Sequence, residues 1–422
     1  MIDILGFIIN FFLSLWWIFL PFFLTQIVWE KYLDNKRGDY IKKNFNYVFF
    51  EIIFPEVTLK TPKLMEIVFN NLHVSAKKIK RIEEIIQGKV PFSYVLYLWF
   101  HDRKIRFVIG TPIDQKELVK SSFYTSYPKL KLKEIENPWK KFNFSVPNSF
   151  YETVILSFNL KKPDYIPLKT YELLERLPPE ERIDPASALW ELKEDISNKE
   201  WLILSFVILP VLGDDEKYGA AWIIRGQAAL DYIIGKPPPP PTITLREEVE
   251  EFILNLLKAI YKYPEWKKAP EPKPFEFNIQ KLTPQQRELL ENIQNKIKKF
   301  GFLSSVKAVY LAPREIFVQK SGKVIGKLRG ALNHFSTEDL NGFVPSILHD
   351  VSSYELFSDF KVFLLKLINF DRIKKLKDVI PKPYGFVLNS SELATIFHHP
   401  FEGYLGIEKT QEETGLPQLP FL

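Results

Sequence analysis

The sequence predicts an α+β fold: an N-terminal transmembrane helix, two ferredoxin-like βαββαβ-type units, the second interrupted by an insertion, and a mostly helical C-terminal part. Three observations carry this expectation. An uncharged apolar run opens the chain. Strand-like and helix-like patterns then follow in two series. A proline-rich tract breaks the second series.

From Ile4 to Trp29 the chain carries no Asp, Glu, Lys or Arg. At 1.5 Å per residue a helix of that length spans roughly 39 Å, enough to cross a ~30 Å hydrocarbon layer. Trp16, Trp17 and Trp29 are rings suited to a membrane interface, with Trp29 at the end of the run. A secretory signal would have a shorter apolar core, a basic start and a small-residue cleavage site. This chain starts Met1-Ile2-Asp3 and no such site follows. A buried core helix is the alternative. Lys31, Lys36, Arg37, Lys42 and Lys43 follow the run and no basic residue precedes it. The positive-inside bias therefore predicts a single pass through the cytoplasmic membrane, anchored by residues 1–30, with the body in the cytoplasm.

Beyond this segment, residues 47–136 read as one β-α-β-β-α-β unit. Tyr47–Ile53 is β-branched and aromatic, and it ends at Pro55. A helix follows with Thr61 as N-cap, Pro62 in the first turn, and Leu64, Ile67, Val68 and Leu72 on one face. Ser93–Phe100 and Lys104–Ile109 form a hairpin around His101-Asp102-Arg103. Asp114 caps a second short helix, and Leu130–Ile135 alternates as a closing strand.

The second domain is expected over 151–335. Thr153–Leu160 is a strand, Asp184-Pro185 opens a helix to Ile196, and Trp201–Leu209 is a nearly all-apolar strand. The pattern stops at Gly213 and resumes at the capped helix start Thr283-Pro284-Gln285-Gln286. Strand Val306–Leu311 and a helix from Pro313 to about Leu332 complete it. The insertion, about 213–282, holds five consecutive prolines (Pro237 to Pro241), a stiff extended spacer. It also holds an amphipathic helix with Thr244 and Glu247 as its capping box. That helix is either a partner-docking arm or packed on its own domain. Residues 336–405 form the helical C-terminal region, including Tyr354–Asn369 and a short helix from Ser390, and 406–422 form a tail.

Composition narrows the chemistry. The 422 residues are 46% apolar and 15% aromatic, enough for two or three packed domains. No cysteine is present, which excludes disulfides, Cys-based zinc sites and thiol nucleophiles. No phosphate-binding loop occurs: Ser321-Gly322-Lys323-Val324 lacks the Ser/Thr after Lys that would hold magnesium. His398 and His399 are adjacent, and neighbours on a helix point to different sides. The reading is of a non-enzyme with no cofactor and no metal. Charge is more informative. Between Lys296 and Arg329 nine basic residues stand against one acid, Glu315, a balance of +8 where the whole chain has +6. Lys296, Lys298, Lys299, Arg314, Lys320, Lys323, Lys327 and Arg329 are thus candidate contacts for phosphate backbones, anionic lipid or an acidic partner. A solvated lysine-rich face is the alternative.

Several strings carry a resemblance: Phe50–Pro55 with Lys60–Phe69, Asp184–Leu189 before Trp201–Pro210, Val309–Phe317, and Leu388–His398. Together they resemble the membrane-anchored N-terminal region of type IV secretion coupling ATPases, of the FtsK/HerA-like kind, from candidate-phyla bacteria. In the longer relatives that region leads into a P-loop DNA-pumping motor, whereas this sequence ends at Leu422 without one. The resemblance implies a non-catalytic, membrane-anchored subunit of a conjugation-like DNA or protein transfer system. It would dock a separate hexameric P-loop ATPase to the membrane, touch lipid and non-specific DNA, and form oligomers. The rival is a membrane-anchored scaffold of a cell-envelope assembly with no nucleic-acid role.

Overall fold

A computed structural model describes residues 24–41, 43–54, 61–141, 150–178, 183–215, 217–218, 221–236, 282–347 and 385–399. Helix α1 covers residues 24–41. The first half of the body is β1 (Tyr47–Ile53), α2 (Lys63–His73), α3 (Arg81–Gln87), β2 (Tyr94–His101), β3 (Lys104–Pro112), α4 (Lys116–Ser126) and β4 (Lys131–Ile135). The second is β5 (Tyr151–Leu160), α5 (Tyr171–Glu175), α6 (Ser187–Glu191), β6 (Trp201–Val211), α7 (Trp222–Ile233), α8 (Pro284–Ile297), β7 (Gly301–Pro313), α9 (Arg314–Asn333) and β8 (Phe343–Ile347). β9 (Phe386–Asn389) and α10 (Ser390–Ile396) close the described chain.

The strands form one antiparallel sheet in the order β4-β1-β3-β2-β6-β7-β5-β8, and β9 pairs with the part of β7 that β5 does not cover. Counted within each half, the order is fourth, first, third, second. The two second strands meet edge to edge, Tyr94 opposite Ile208 and Phe100 opposite Leu202. That junction removes two exposed strand edges, each a row of unpaired backbone groups.

Side-chain alternation then decides the faces. Along β2, Tyr94, Leu96, Leu98 and Phe100 enter one apolar cluster while Val95, Tyr97 and Trp99 enter another. Both faces are covered, which is why the strand reads as a continuous apolar run. The larger cluster lies under the helices: Met65, Val68 and Leu72 of α2, Phe123 of α4, Leu328 of α9 and Leu393 of α10 share it with Phe50, Leu96, Phe206 and Val306. The opposite face carries a thinner cover. Trp139, in the turn after β4, lies over Tyr97 and Trp99 at ring-centroid distances of 6.0 and 5.7 Å. At one end Trp222 of α7 packs on Leu209, Val211 and Val387.

One expectation is overturned. Among the described residues no helix is long and apolar enough to cross a membrane, against the expected transmembrane anchor and single-pass placement in the cytoplasmic membrane; residues 1–23 of that segment lie outside the described residues. α1 runs from the last residues of the apolar stretch into the charged residues that follow it, Glu30, Lys31, Asp34, Lys36, Arg37 and Asp39. Its charged end is tied to the body, where Arg37 pairs with Glu84 at 2.6 Å. Trp16 and Trp17 lie outside the described residues, and Trp29 stacks on Tyr32 of the same helix.

Local chemistry explains most element ends. Thr283 and Gln286 form the expected capping box on α8. Asn389 and Glu392 form another on α10, one residue earlier than the Ser390 start. α2 has Pro62 at its N-cap and no side-chain cap, so Thr61 does not serve as one. Asp102 and Arg103 both have positive φ, 52° and 54°, making the β2–β3 connection a two-residue hairpin turn. Their amides donate to the Ser197 and Ile196 carbonyls, which hold two non-glycine residues in that region. The helix expected over Asp184–Ile196 is two short pieces, α6 and a 3-10 turn at Leu192–Asp195. The proline run, the amphipathic helix after Thr244, the helix Tyr354–Asn369 and the tail lie outside the described residues.

Candidate functional site

The basic segment from Lys296 to Arg329 does not form a free cationic face. Lys296 and Glu392 pair at 2.9 Å with both side chains 0% exposed. Lys299 bridges Glu66 at 2.8 Å and Glu172 at 2.5 Å. Lys320 reaches Glu200 at 2.9 Å, and Lys323 and Lys327 converge on Asp195 at 3.0 and 2.5 Å. Arg314 lies 3.7 Å from Glu152. Lys298 and Arg329 are exposed and form no ion pair with a described residue. The balance read along the sequence is largely cancelled by carboxylates from distant parts of the chain.

These contacts shift the acids. The hydrogen bond from Lys327, joined by one from Lys323, holds the Asp195 carboxyl below the usual carboxylate range against the opposing effect of burial. For Glu200 burial pushes up, but hydrogen bonds from Ser197, Lys320 and Tyr310 outweigh it and the carboxyl sits low. Tyr310 donates to Glu200 at 2.9 Å, and burial together with that carboxylate pushes its hydroxyl up.

A second polar cluster is structural. Glu392 accepts from Lys296 Nζ, from the Leu168 amide at 2.7 Å and from the Asn389 amide at 2.8 Å. Glu66 accepts from Tyr171, Lys299 and Ser390. His398 donates to Asp184 at 2.9 Å, while His399 packs its ring against Phe54 at 4.9 Å. The two adjacent histidines thus have different partners. Among the described residues no group of three His, Asp or Glu is arranged to hold a metal ion.

The open face of the sheet holds a different kind of site. A cavity of about 650 Å³ is lined by Trp99, Tyr151 and Trp201 with Glu51, His101, Arg106 and Glu136, over a floor of Val108 and Ile135. Register explains the convergence. Glu51 of β1 lies opposite Val108 of β3, and Arg106 lies opposite Trp99 of β2, so all four face one way. His101 ends β2 and stacks flat on Trp201 at 4.8 Å. Its Nδ1 donates to the Glu200 carbonyl at 2.9 Å, which in the neutral ring leaves Nε2 as an acceptor. Arg106 Nε sits 3.7 Å from Glu51. The arrangement offers ring walls, two carboxylates and one guanidinium, a set that recognises planar or polar-edged ligands. None of these residues was a sequence candidate. The available signal was alternation: Trp99, His101 and Arg106 share the face that the helices leave open.

No protein-family model matches the chain, and no curated protein matches it. Among solved structures it is similar to berberine bridge enzyme from Eschscholzia californica in a monoclinic crystal form, with 11% identity and a TM-score of 0.23, covering 84% of this chain and 54% of that one. A glycine-to-alanine variant of that enzyme, described as a reticuline dehydrogenase, has 11% identity and a TM-score of 0.24 over the same shares. The chain thus spans about half the length of the solved chains it matches, and at these scores the likeness carries no argument about fold or activity.

Proposed function

We propose that the chain is a non-catalytic binding subunit of a nucleic-acid transfer assembly, working beside a separate P-loop ATPase. The observation that carries this reading is the open-face cavity, where three large rings and three charged side chains converge on a continuous sheet. Such convergence suits capture of a ligand. The conspicuous acid–base groups elsewhere serve packing: Lys296 with Glu392, Lys320 with Glu200 and Lys327 with Asp195 each join elements far apart in sequence. The likeness of Phe50–Pro55, Val309–Phe317 and Leu388–His398 to coupling ATPases supports the setting.

The test is isolation of the full chain with its neighbours from the native cell, followed by identification of what comes with it. A P-loop ATPase enriched well above background is the expected result. Recovery of envelope structural proteins alone, with no ATPase, would replace this reading with the scaffold.

A further inference from the structure

We propose that the open-face cavity is a nucleobase site for single-stranded nucleic acid, with the backbone running along a basic strip on β3 and β4. The inference rests on the binding-subunit reading and names the ligand class of the same site.

Charge complementarity comes first. Lys104, Arg106, Lys131 and Lys133 are all exposed. Lys133 lies opposite Glu51 and Arg106 opposite Trp99, so the strip stands on the open face beside the cavity. Lys104, Lys131 and Lys133 form no ion pair with a described residue, unlike most of the Lys296–Arg329 segment. Positive charge is therefore available here, where phosphates can meet it.

The interior has the opposite character. Glu51 and Glu136 present acceptors between aromatic walls. Phosphates are repelled from such a space, but an unstacked base is not. Its π-face suits Trp201 and Tyr151, and its exocyclic amine can donate to a carboxylate. Cytosine, adenine and guanine offer that amine, and thymine does not. A duplex hides the base face, which makes the site selective for single strands.

The experiment is fluorescence anisotropy of labelled homopolymeric oligonucleotides, deoxy and ribo, with the purified full chain across a salt series. Cytosine oligomers are expected to bind more tightly than thymine oligomers, and either more tightly than duplex. Trp201→Ala should weaken binding roughly fivefold or more, the loss of one stacked base. Lys131→Gln with Lys133→Gln should flatten the log–log salt slope by about 1.4, two single-strand contacts. Lys323→Gln with Lys327→Gln, already paired to Asp195, should leave it unchanged. Tyr151→Ala serves as a second wall variant should Trp201→Ala lower the thermal midpoint. No binding at low salt, equal binding of duplex, or wild-type affinity in both wall variants would overturn the proposal. ATPase co-isolation is scored on the same Trp201→Ala chain. ATPase retained by a wild-type chain that binds no oligonucleotide removes the base site alone, whereas oligonucleotide binding without ATPase removes only the subunit reading.

Discussion

Lys296 shows how a single position changes meaning between sequence and fold. In a charge count it opens a basic run. In the structure its ammonium lies fully buried against Glu392 and within 3.4 Å of the Ile166 carbonyl. A signal was present in α8, because Ile293, Lys296 and Ile297 fall on one helical stripe and the two isoleucines mark it as inward. The carboxylate that neutralises it lies nearly a hundred positions later, where local pattern does not reach. Removing one partner of a buried pair leaves an uncompensated charge. Lys296→Ala is therefore expected to cost about 3–5 kcal/mol in urea unfolding. Lys323→Gln, on the exposed end of its pair, should cost under about 1 kcal/mol. A cost for Lys296→Ala no larger than that of Lys323→Gln would contradict the structural role.

Elements with their own local chemistry were the most legible. The hairpin at Asp102-Arg103, the α8 capping box and the apolar runs of β2 and β6 all follow from neighbouring residues. β7 proved longer than the expected Val306–Leu311 because Ser304 and Ser305 interrupt the apolar pattern at its start, although both pair in the ladder. β9 lies within 336–405, the stretch expected to be helical, and is a strand. Its seat depends on Gly385, where an added Cβ would lie 1.9 Å from the Ser304 carbonyl oxygen, a backbone atom that cannot swing away. Gly385→Ala should lower stability by about 1–3 kcal/mol. It should also speed amide exchange at Phe386–Asn389 before the rest of the sheet opens. Unchanged exchange there would mean that β9 docks by another route.

At the scale of the molecule, the β2–β6 junction is the feature that sequence reading missed. In an isolated unit of this strand order the second strand is an edge, and an edge that is apolar on both faces is a hazard. The all-apolar run Tyr94–Phe100 was in that sense a sign of a further neighbour, but it did not name β6. Residues 43–141 made alone should therefore aggregate or self-pair, and co-expression with 150–399 should recover a soluble complex by size exclusion. A monodisperse, folded monomer of the first fragment would show that the junction is dispensable. The reach of β9 back to β7, Gly301 facing Asn389, also orders events during synthesis. While the ribosome is still making the stretch after β8, β7 lacks part of one edge and Lys296 lacks its counter-charge. Only when Asn389 and Glu392 emerge can both deficits close. The last described segment to be translated thus completes a strand edge and a buried ion pair begun nearly a hundred residues earlier.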